Sequence, residues 1–243
     1  MAFEGAMVHL NEDTEHLADL LSDFGCHADT DALLALTDIA GRYRALNDRL
    51  EDLVAFIQSH IKNPAHDPCP LAEMGLRIHG YLFSEILNNA GQYRRETDPK
   101  GGPIYFGGTA HQSLKPAFEG RPAITLEAEM LDCYRLLFDF SNPVRSAAWF
   151  YQRYSQIHPF YDANGRIARL FVTAYLVGER KFIRWGELSK ARGKFIKKLN
   201  ACHKRSSVDS FPEYLGYLTS FLDGFVSDMT EFINYAEEGP ATF

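Results

Sequence analysis

Residues 158–169 read HPFYDANGRIAR and bring a histidine, a carboxylate, an amide and two arginines within twelve positions. Pro159 disfavours helical geometry at the residue before it, so the preceding helix should end by Ile157. Helical apolar spacing resumes after this stretch and predicts a new helix from about residue 164. Arg166 and Arg169 would then project from one face of its first turns, where the helix dipole disfavours cations. A polyanion bound at this helix N-terminus would make the arrangement favourable.

The remaining polar residues of the stretch fit a bound magnesium nucleotide. Asp162 and Asn164 are favoured N-cap types, and Gly165 lacks a side chain that would obstruct the backbone N–H groups. A carboxylate beside phosphates requires a cation between them, and Mg²⁺ commonly takes one or two carboxylates together with phosphate oxygens. His158 could accept a proton from an incoming hydroxyl, because imidazole titrates near neutrality. Each of these polar residues has an ordinary structural explanation when it is considered alone. Their occurrence together in one short stretch indicates a functional site. Phe160, in contrast, we assign to anchoring the loop against the core.

The elements that must position this stretch are predicted to be almost entirely helical, because apolar residues recur at helical spacing and strand-like alternation is nearly absent. We therefore predict a mainly α fold. The predicted helices cover residues 71–90, 123–140, 143–156, 164–178, 187–201 and 211–236. A segment rich in glycine and proline follows the first of them and carries a short β-prone run, which predicts a hairpin or flap. No Lys-Ser or Lys-Thr follows these glycines, so a phosphate loop of the Walker type is disfavoured.

The N-terminal part of the chain carries a heptad seam that runs from Leu36 to Ile57, with polar residues on the other faces. Two interpretations stay open: the seam packs on a neighbouring helix of the same chain, or it forms a homodimer or a coiled coil with a partner. Three prolines within residues 62–70 predict a break. We expect a helical extension over residues 1–70, a core over 71–205 and a C-terminal helix packing on that core within 206–243.

Composition narrows the classes of function. The chain has 243 residues, a formal net charge of -7 and a pI near 5.7, which argues against broad binding to nucleic acid or an acidic membrane, although a local basic pocket is compatible with it. Its four cysteines form no CxxC pair, so neither a zinc site of thiolates nor a disulfide framework is indicated. A basic leader and an apolar run of about 18 residues are both missing, so we expect a cytoplasmic protein.

The stretch 158–169 resembles the signature of the Fic domain family, His-x-Phe-x-Asp/Glu-Gly-Asn-Gly-Arg-x-x-Arg. Ala163 stands where the signature has its first glycine, a departure that adds one methyl group to the loop. Weaker resemblance extends over about residues 71–205, through the segments GQYR, IYFGG and YSQIHPF, and leaves the first 70 residues outside. The resemblance implies a Fic-type helical bundle with a short β-hairpin flap.

The resemblance also implies an activity: Fic proteins typically transfer AMP from ATP to a hydroxyl of a target protein and release pyrophosphate. It makes His158 the base and Asp162 the Mg²⁺ ligand. The residues it assigns to the nucleotide are Asn164 and Gly165 in an anion hole, and Arg166 and Arg169 on the β and γ phosphates. The residues it assigns to the flap that docks the target by strand-like pairing are Ile104, Tyr105, Phe106, Gly107 and Gly108. Related kinases carry lysine at the position of Gly165, so glycine favours nucleotidyl transfer.

Several alternatives and partners stay open at this stage. Another Fic reaction could replace AMP transfer, namely transfer of UMP, GMP or phosphocholine, or removal of AMP, and an idle Fic scaffold is the non-enzymatic alternative. The expected partner is a protein with a Ser, Thr or Tyr hydroxyl. Many Fic proteins are inhibited by a helix with Ser/Thr-x-x-x-Glu-Gly/Asn, whose glutamate pairs with the second motif arginine. Only near misses occur, with Asp223 and with Glu238, so we expect no self-inhibition through such a glutamate, and any restraint to come from a separate inhibitory protein or from the N-terminal helices.

Overall fold

The structure is a computed structural model, and it describes residues 50–61, 67–84, 89–97, 104–106, 118–138, 140–161, 163–207 and 209–230. Helices predominate over these ranges and two small antiparallel sheets accompany them, which confirms the prediction of a mainly α fold. None of the helices in the described ranges is long and apolar enough to cross a membrane.

The elements follow one another in a simple order. The helices are α1 (Leu50–Ile61), α2 (Cys69–Phe83), α3 (Leu126–Arg135), α4 (Pro143–Ile157), α5 (Asn164–Gly178), α6 (Trp185–Lys190), α7 (Arg192–His203) and α8 (Phe211–Asp223). A 3₁₀ turn, Ala123–Thr125, leads into α3. The strands are β1 (Tyr105–Phe106), β2 (Phe118–Glu119), β3 (Lys181–Ile183) and β4 (Val226–Asp228).

Helix α5 lies at the centre of the molecule. Its residues from Ile167 to Val177 are apolar on nearly every face apart from Arg169, and most of them are buried. A helix that is apolar all round needs neighbours on all sides. Here α4, α1 and α2 pack against it, while α8 covers α4 and α7 packs on α8. The predicted bounds of 164–178 match the observed helix.

The described end of the heptad seam packs inside the chain. Ile57 is fully buried and Leu53 is buried beside it, because α1 runs along α5. This burial supports intramolecular packing for residues 50–61, and a homodimer through the same two side chains would require them to leave the core. The earlier part of the seam, including Leu36, lies outside the described residues.

Helix α2 is shorter than predicted, since it ends at Phe83 and not near residue 90. Gly91, which has a φ of 76°, brings the chain back onto this helix. A Cβ built on Gly80 would lie 3.3 Å from the Gly91 Cα, so the two backbones are in close contact. For Gly91 to contact Gly80, the chain must reverse direction soon after the helix ends. Glycine is the residue that adopts the positive φ of Gly91 without strain.

The C-terminal part also differs from the prediction. The helix predicted over 211–236 ends at Asp223, and the chain then forms β4, which pairs with β3 in the register Phe182↔Ser227. The helix predicted over 187–201 is two helices that meet at Ala191. Helical spacing could not reveal β4, because its hydrogen-bonding partner lies more than 40 residues earlier in the chain. Helix α8 packs against α4 and α7, while the predicted division of the chain into domains stays a prediction.

Strands β1 and β2 form the base of the flap. Tyr105 pairs with Glu119 and Phe106 with Phe118, and the Gly120 N–H donates to the Ile104 carbonyl at 2.8 Å. This antiparallel pair confirms the predicted hairpin.

Candidate active site

The motif begins where α4 ends. His158 follows the helix in a left-handed conformation, with φ 54° and ψ 60°, and its N–H donates to the Tyr154 carbonyl at 3.1 Å. The helix therefore ends at Ile157, as the following proline predicted. A left-handed conformation is costly for a residue with a Cβ, so the surrounding contacts must hold it.

The His158 ring is oriented by its own helix. Its Nδ1 lies 3.3 Å from the Ser155 carbonyl oxygen, which can only accept, so the neutral ring carries its proton on Nδ1. The lone pair is then on Nε2, where a base needs it. Burial lowers the pKa of His158 to about 4, the positive charge of Arg94 acts in the same direction, and the bond to Ser155 opposes both. The ring is therefore neutral at physiological pH.

Acid should destabilise this fold between about pH 6.5 and pH 4, because burial also lowers the pKa of His203 to about 4. Both folded pKa values lie below the unfolded value, so the unfolded state binds protons first, and the stabilisation present above pH 6.5 is lost as the pH falls. Each histidine should account for roughly 2 kcal/mol between pH 7 and pH 5. Urea unfolding at the two pH values measures the loss, and His203→Gln should remove about half of it. Equal urea midpoints at both pH values would contradict the shifts.

Arg94 holds the end of α4, and sequence reasoning did not single it out. Its side chain is 4% exposed, and Nε donates to the His158 carbonyl at 2.8 Å. Nη2 donates to the carbonyls of Ile157 and Arg121, and the Arg94 backbone N–H donates to the Pro159 carbonyl at 3.0 Å. Carbonyls at a helix C-terminus lack partners within the helix and carry partial negative charge. The buried guanidinium therefore satisfies these carbonyls and fixes the backbone on both sides of the base.

The flap is seated directly on His158. A Cβ built on Gly120 would lie 3.2 Å from the His158 Cβ, 3.1 Å from the Arg94 Nη2 and 2.5 Å from the Ile104 Cγ2. No side chain fits at this position without moving one of its three neighbours. The absence of a side chain at Gly120 thus lets the base of the flap lie against the Cβ of His158.

The side chain of Asn164 closes the loop, and its predicted part in an anion hole stays a prediction. Its side chain is 4% exposed, its Oδ1 accepts from the Phe160 N–H at 2.9 Å, and its Nδ2 donates to the Phe160 carbonyl at 2.9 Å. The N-cap position is occupied by Ala163, and Asn164 is the first helical residue. Because both ends of its amide are bonded to the loop, only the Asn164 backbone N–H could contribute to an anion hole.

The predicted anchoring role of Phe160 is confirmed. The side chain is 1% exposed and stacks on His79, with ring centroids 3.8 Å apart and an interplanar angle of 8°. Together with Asn164 it holds the loop in one conformation against the core.

The described residues leave the N-terminus of α5 accessible at Gly165. The first hydrogen bond of the helix joins the Ile167 N–H to the Ala163 carbonyl at 3.0 Å, so the N–H groups of Asn164 and Gly165 precede the helical ladder. Among the residues that the structure describes, a Cβ on Gly165 would meet only the Tyr151 hydroxyl, at 3.7 Å. Ala163 itself is left-handed, with φ 63°, which explains why glycine suits this position of the signature.

The two arginines of the motif are supported by aromatic rings. The Arg166 guanidinium lies 5.5 Å from the centroid of Phe83, and that of Arg169 lies 5.7 Å from the centroid of Trp185. Trp185 donates from Nε1 to the Thr173 hydroxyl at 2.8 Å, and this hydroxyl donates to the Arg169 carbonyl at 2.8 Å. Trp185 therefore positions Arg169, a role that no spacing in the sequence indicates.

Some predicted site residues cannot be placed. Asp162, Gly107 and Gly108 lie outside the described residues, and nothing is described of the side chains of Tyr105 and Phe106. Within the described part of the chain, no three His, Cys, Asp or Glu side chains cluster to hold a metal ion. Magnesium held together with phosphates needs only one or two carboxylates, so the predicted role of Asp162 is compatible with this result.

The two residues that partly match an inhibitory helix motif, Asp223 and Glu238, differ in whether the structure describes them. Asp223 is exposed at the end of α8 and forms no ion pair with Arg169 or any other residue of the described ranges. Glu238 lies outside those ranges. The expectations that neither Asp223 nor Glu238 is an inhibitor both stay predictions.

Comparison with known proteins gives a family and a fold. Residues 71–176 match the Fic/DOC family. The chain is similar to a Fic domain-containing signaling protein from Bacteroides thetaiotaomicron, with a TM-score of 0.62 and 19% identity over 97% of this chain and 89% of that chain. It is also similar to a Fic family protein from Desulfovibrio desulfuricans G20, with a TM-score of 0.50 and 16% identity over 97% and 76% of the two chains.

No curated protein is similar enough in sequence to count as a relative. At identities of 16% and 19% the two solved structures speak for the fold alone. The family match agrees with two features of the structure. The signature stretch lies between α4 and α5, and the base of the flap lies against its histidine. Residues 71–176 of this chain form a Fic/DOC family domain.

Proposed function

We propose that the protein transfers AMP from ATP to a Ser, Thr or Tyr hydroxyl of a target protein. One observation carries this proposal. A neutral imidazole, with its proton held on Nδ1 by the Ser155 carbonyl, lies in the loop that leads into an open helix N-terminus followed by two arginines. A base beside a polyphosphate site is the arrangement that hydroxyl activation and nucleotidyl transfer require.

The nucleotide would bind at the mouth of α5. The backbone N–H groups of Asn164 and Gly165 and the helix dipole favour phosphate oxygens there. Arg166 and Arg169 would bind the β and γ phosphates, since guanidinium groups form paired hydrogen bonds with phosphate. Asp162 would hold Mg²⁺, which neutralises phosphate charge when bound.

The transfer step follows from the position of His158. Its Nε2 accepts the proton of the target hydroxyl while the hydroxyl oxygen bonds to the α phosphorus. The bond from that phosphorus to the oxygen bridging the α and β phosphates breaks, and pyrophosphate leaves. A pKa of about 4 makes the His158 imidazole a weak base, but the negative charge of a bound polyphosphate would raise this pKa.

The target would dock along the flap. An extended segment adding to a strand edge gains main-chain hydrogen bonds without a fixed sequence. Because Gly120 seats the flap on His158, a hydroxyl carried by such a segment would come close to the imidazole. The flap residues Ile104 to Gly108 are the predicted docking edge.

The test is incubation of the full chain with each labelled nucleotide, Mg²⁺ and a cell lysate, followed by mass analysis of modified proteins. We expect an added AMP from ATP. Addition of UMP, GMP or phosphocholine would assign another Fic transfer, and loss of AMP from a modified protein would assign the reverse reaction. No adduct on any protein, including the chain itself, would favour a scaffold.

Gly165→Lys should lower AMP transfer sharply. The structure leaves room for the first atoms of a side chain here, so the variant should fold while its ammonium occupies the phosphate position and competes with Arg166. Gly165→Ala is the matched control, because it adds a methyl group in ordinary contact with Tyr151 and no charge. Transfer rates with labelled ATP measure both. A lysine variant as active as the alanine variant would show that Gly165 does not select the reaction.

A further inference from the structure

Charge is distributed unevenly along this chain, in a pattern that the proposed active site does not use. Residues 190–205 contain seven basic residues and no acidic one, although the chain carries a net charge of -7. The seven are Lys190, Arg192, Lys194, Lys197, Lys198, Lys204 and Arg205. Residues 1–41 contain nine acidic residues and no Lys or Arg. The nine are Glu4, Glu12, Asp13, Glu15, Asp19, Asp23, Asp29, Asp31 and Asp38.

The basic residues of α7 border a groove. A cavity of about 340 Å³ lies between the outer faces of α7 and α8, which we call the lysine groove. Its lining consists of Lys194, Lys197, Lys198, Ala201, Tyr214 and Tyr217. Half of these side chains are cations, and no carboxylate is among them. The groove therefore favours an occupant that carries several negative charges.

The α8 side of the lysine groove is aromatic. Tyr217 is 51% exposed, and its ring stands at 87° to that of Tyr214 with centroids 5.7 Å apart. The Arg205 guanidinium lies 3.8 Å from the Tyr214 centroid and adds another cation at this wall. Glu213 is the acidic neighbour, and it accepts a hydrogen bond from the Tyr217 hydroxyl at 2.6 Å. Exposed rings beside cations suit an acidic peptide better than a small inorganic anion, because the peptide can also cover apolar surface.

We propose that the lysine groove binds the acidic N-terminal segment of the same chain, residues 1–41. Individual surface ion pairs contribute at most about 1 kcal/mol, so a separate acidic peptide would need many of them. A tethered segment has an effective concentration in the mM range, so a few pairs suffice. Residues 42–49 join the segment to α1, and eight residues span about 12 Å as a helix and at most roughly 26 Å when extended. This proposal does not depend on the proposed transfer activity.

Zero-length carbodiimide crosslinking of the full chain tests the contact, since it joins a lysine to a carboxylate only where the two touch. An equal mixture of ¹⁴N and ¹⁵N chains is crosslinked at low salt and digested for mass spectrometry. We expect bridges from residues 1–41 to Lys194, Lys197 or Lys198 several-fold more often than to Lys190, an exposed lysine of the same basic run outside the groove lining. Each bridge should join peptides of one isotope.

Two perturbations that leave the lysines in place should lower the yield. Salt at 1 M shortens the Debye length to about 3 Å and should remove most bridges. Tyr217→Ser should lower the yield at low salt by removing the aromatic wall. The proposal is overturned if bridges to the groove lysines are no more frequent than those to Lys190. It is equally overturned if bridges join ¹⁴N to ¹⁵N peptides, because a second copy would then supply the segment.

Discussion

His158→Ala should lower AMP transfer by about 10²- to 10⁴-fold, the range that a positioned general base contributes. The expectation rests on the imidazole of His158: Nδ1 lies against the Ser155 carbonyl, so the lone pair that would take the hydroxyl proton is on Nε2. The phosphate ligands lie on α5 and do not involve the imidazole, so the affinity for ATP should change little. Single-turnover transfer of labelled AMP and calorimetric titration with ATP measure the two quantities.

Arg166→Ala is the matched counterpart of His158→Ala, because its main effect should be on the affinity for ATP. Loss of a charge-assisted contact to phosphate should weaken ATP binding by very roughly 1.5 to 3 kcal/mol. His60→Ala, in the last turn of α1 and outside the motif, should change neither quantity. If His158→Ala transferred AMP at the parent rate, the assignment of the base would be wrong. If Arg166→Ala kept the parent affinity for ATP, the assignment of the polyphosphate site would be wrong.

Arg94→Met should destabilise the fold by about 3 kcal/mol, because one buried and two partly buried carbonyls would each lose a charge-assisted donor. It should also lower transfer, since His158 and its flanking peptide groups would no longer be held, and a shift of about 1 Å at a reacting group can cost 10²-fold. Urea unfolding gives the stability, and transfer assays below the unfolding transition give the activity.

Two variants make the Arg94 result specific. Arg94→Lys keeps the charge but not the planar fork, so it should recover only part of the stability and activity. Arg95→Ala removes the exposed neighbouring guanidinium and keeps the backbone carbonyl that Tyr161 contacts, so it should resemble the parent. A stability of Arg94→Met equal to that of Arg95→Ala would contradict the role assigned to the guanidinium.

Local signals in the sequence determined the parts of the site that lie close together in the chain. Pro159 ended α4 at Ile157, helical periodicity placed α5, and glycine and β-prone residues indicated the flap. Each of these depends on backbone preferences within a few residues, which is why they could be predicted. The base and both arginines could be predicted together because they lie within one stretch of twelve residues.

Tertiary contacts decided what spacing could not show. Arg94 and Arg95 are adjacent and alike in sequence, yet only Arg94 is buried and holds the carbonyls around His158, because α4 ends beside it. Asn164 is a favoured N-cap type, but its side-chain amide forms hydrogen bonds with the backbone N–H and carbonyl of Phe160 and so closes the loop. Trp185 supports Arg169 from another helix, and β4 pairs with a strand more than 40 residues earlier. Such contacts form between distant segments, so their partners become known only once the chain is folded.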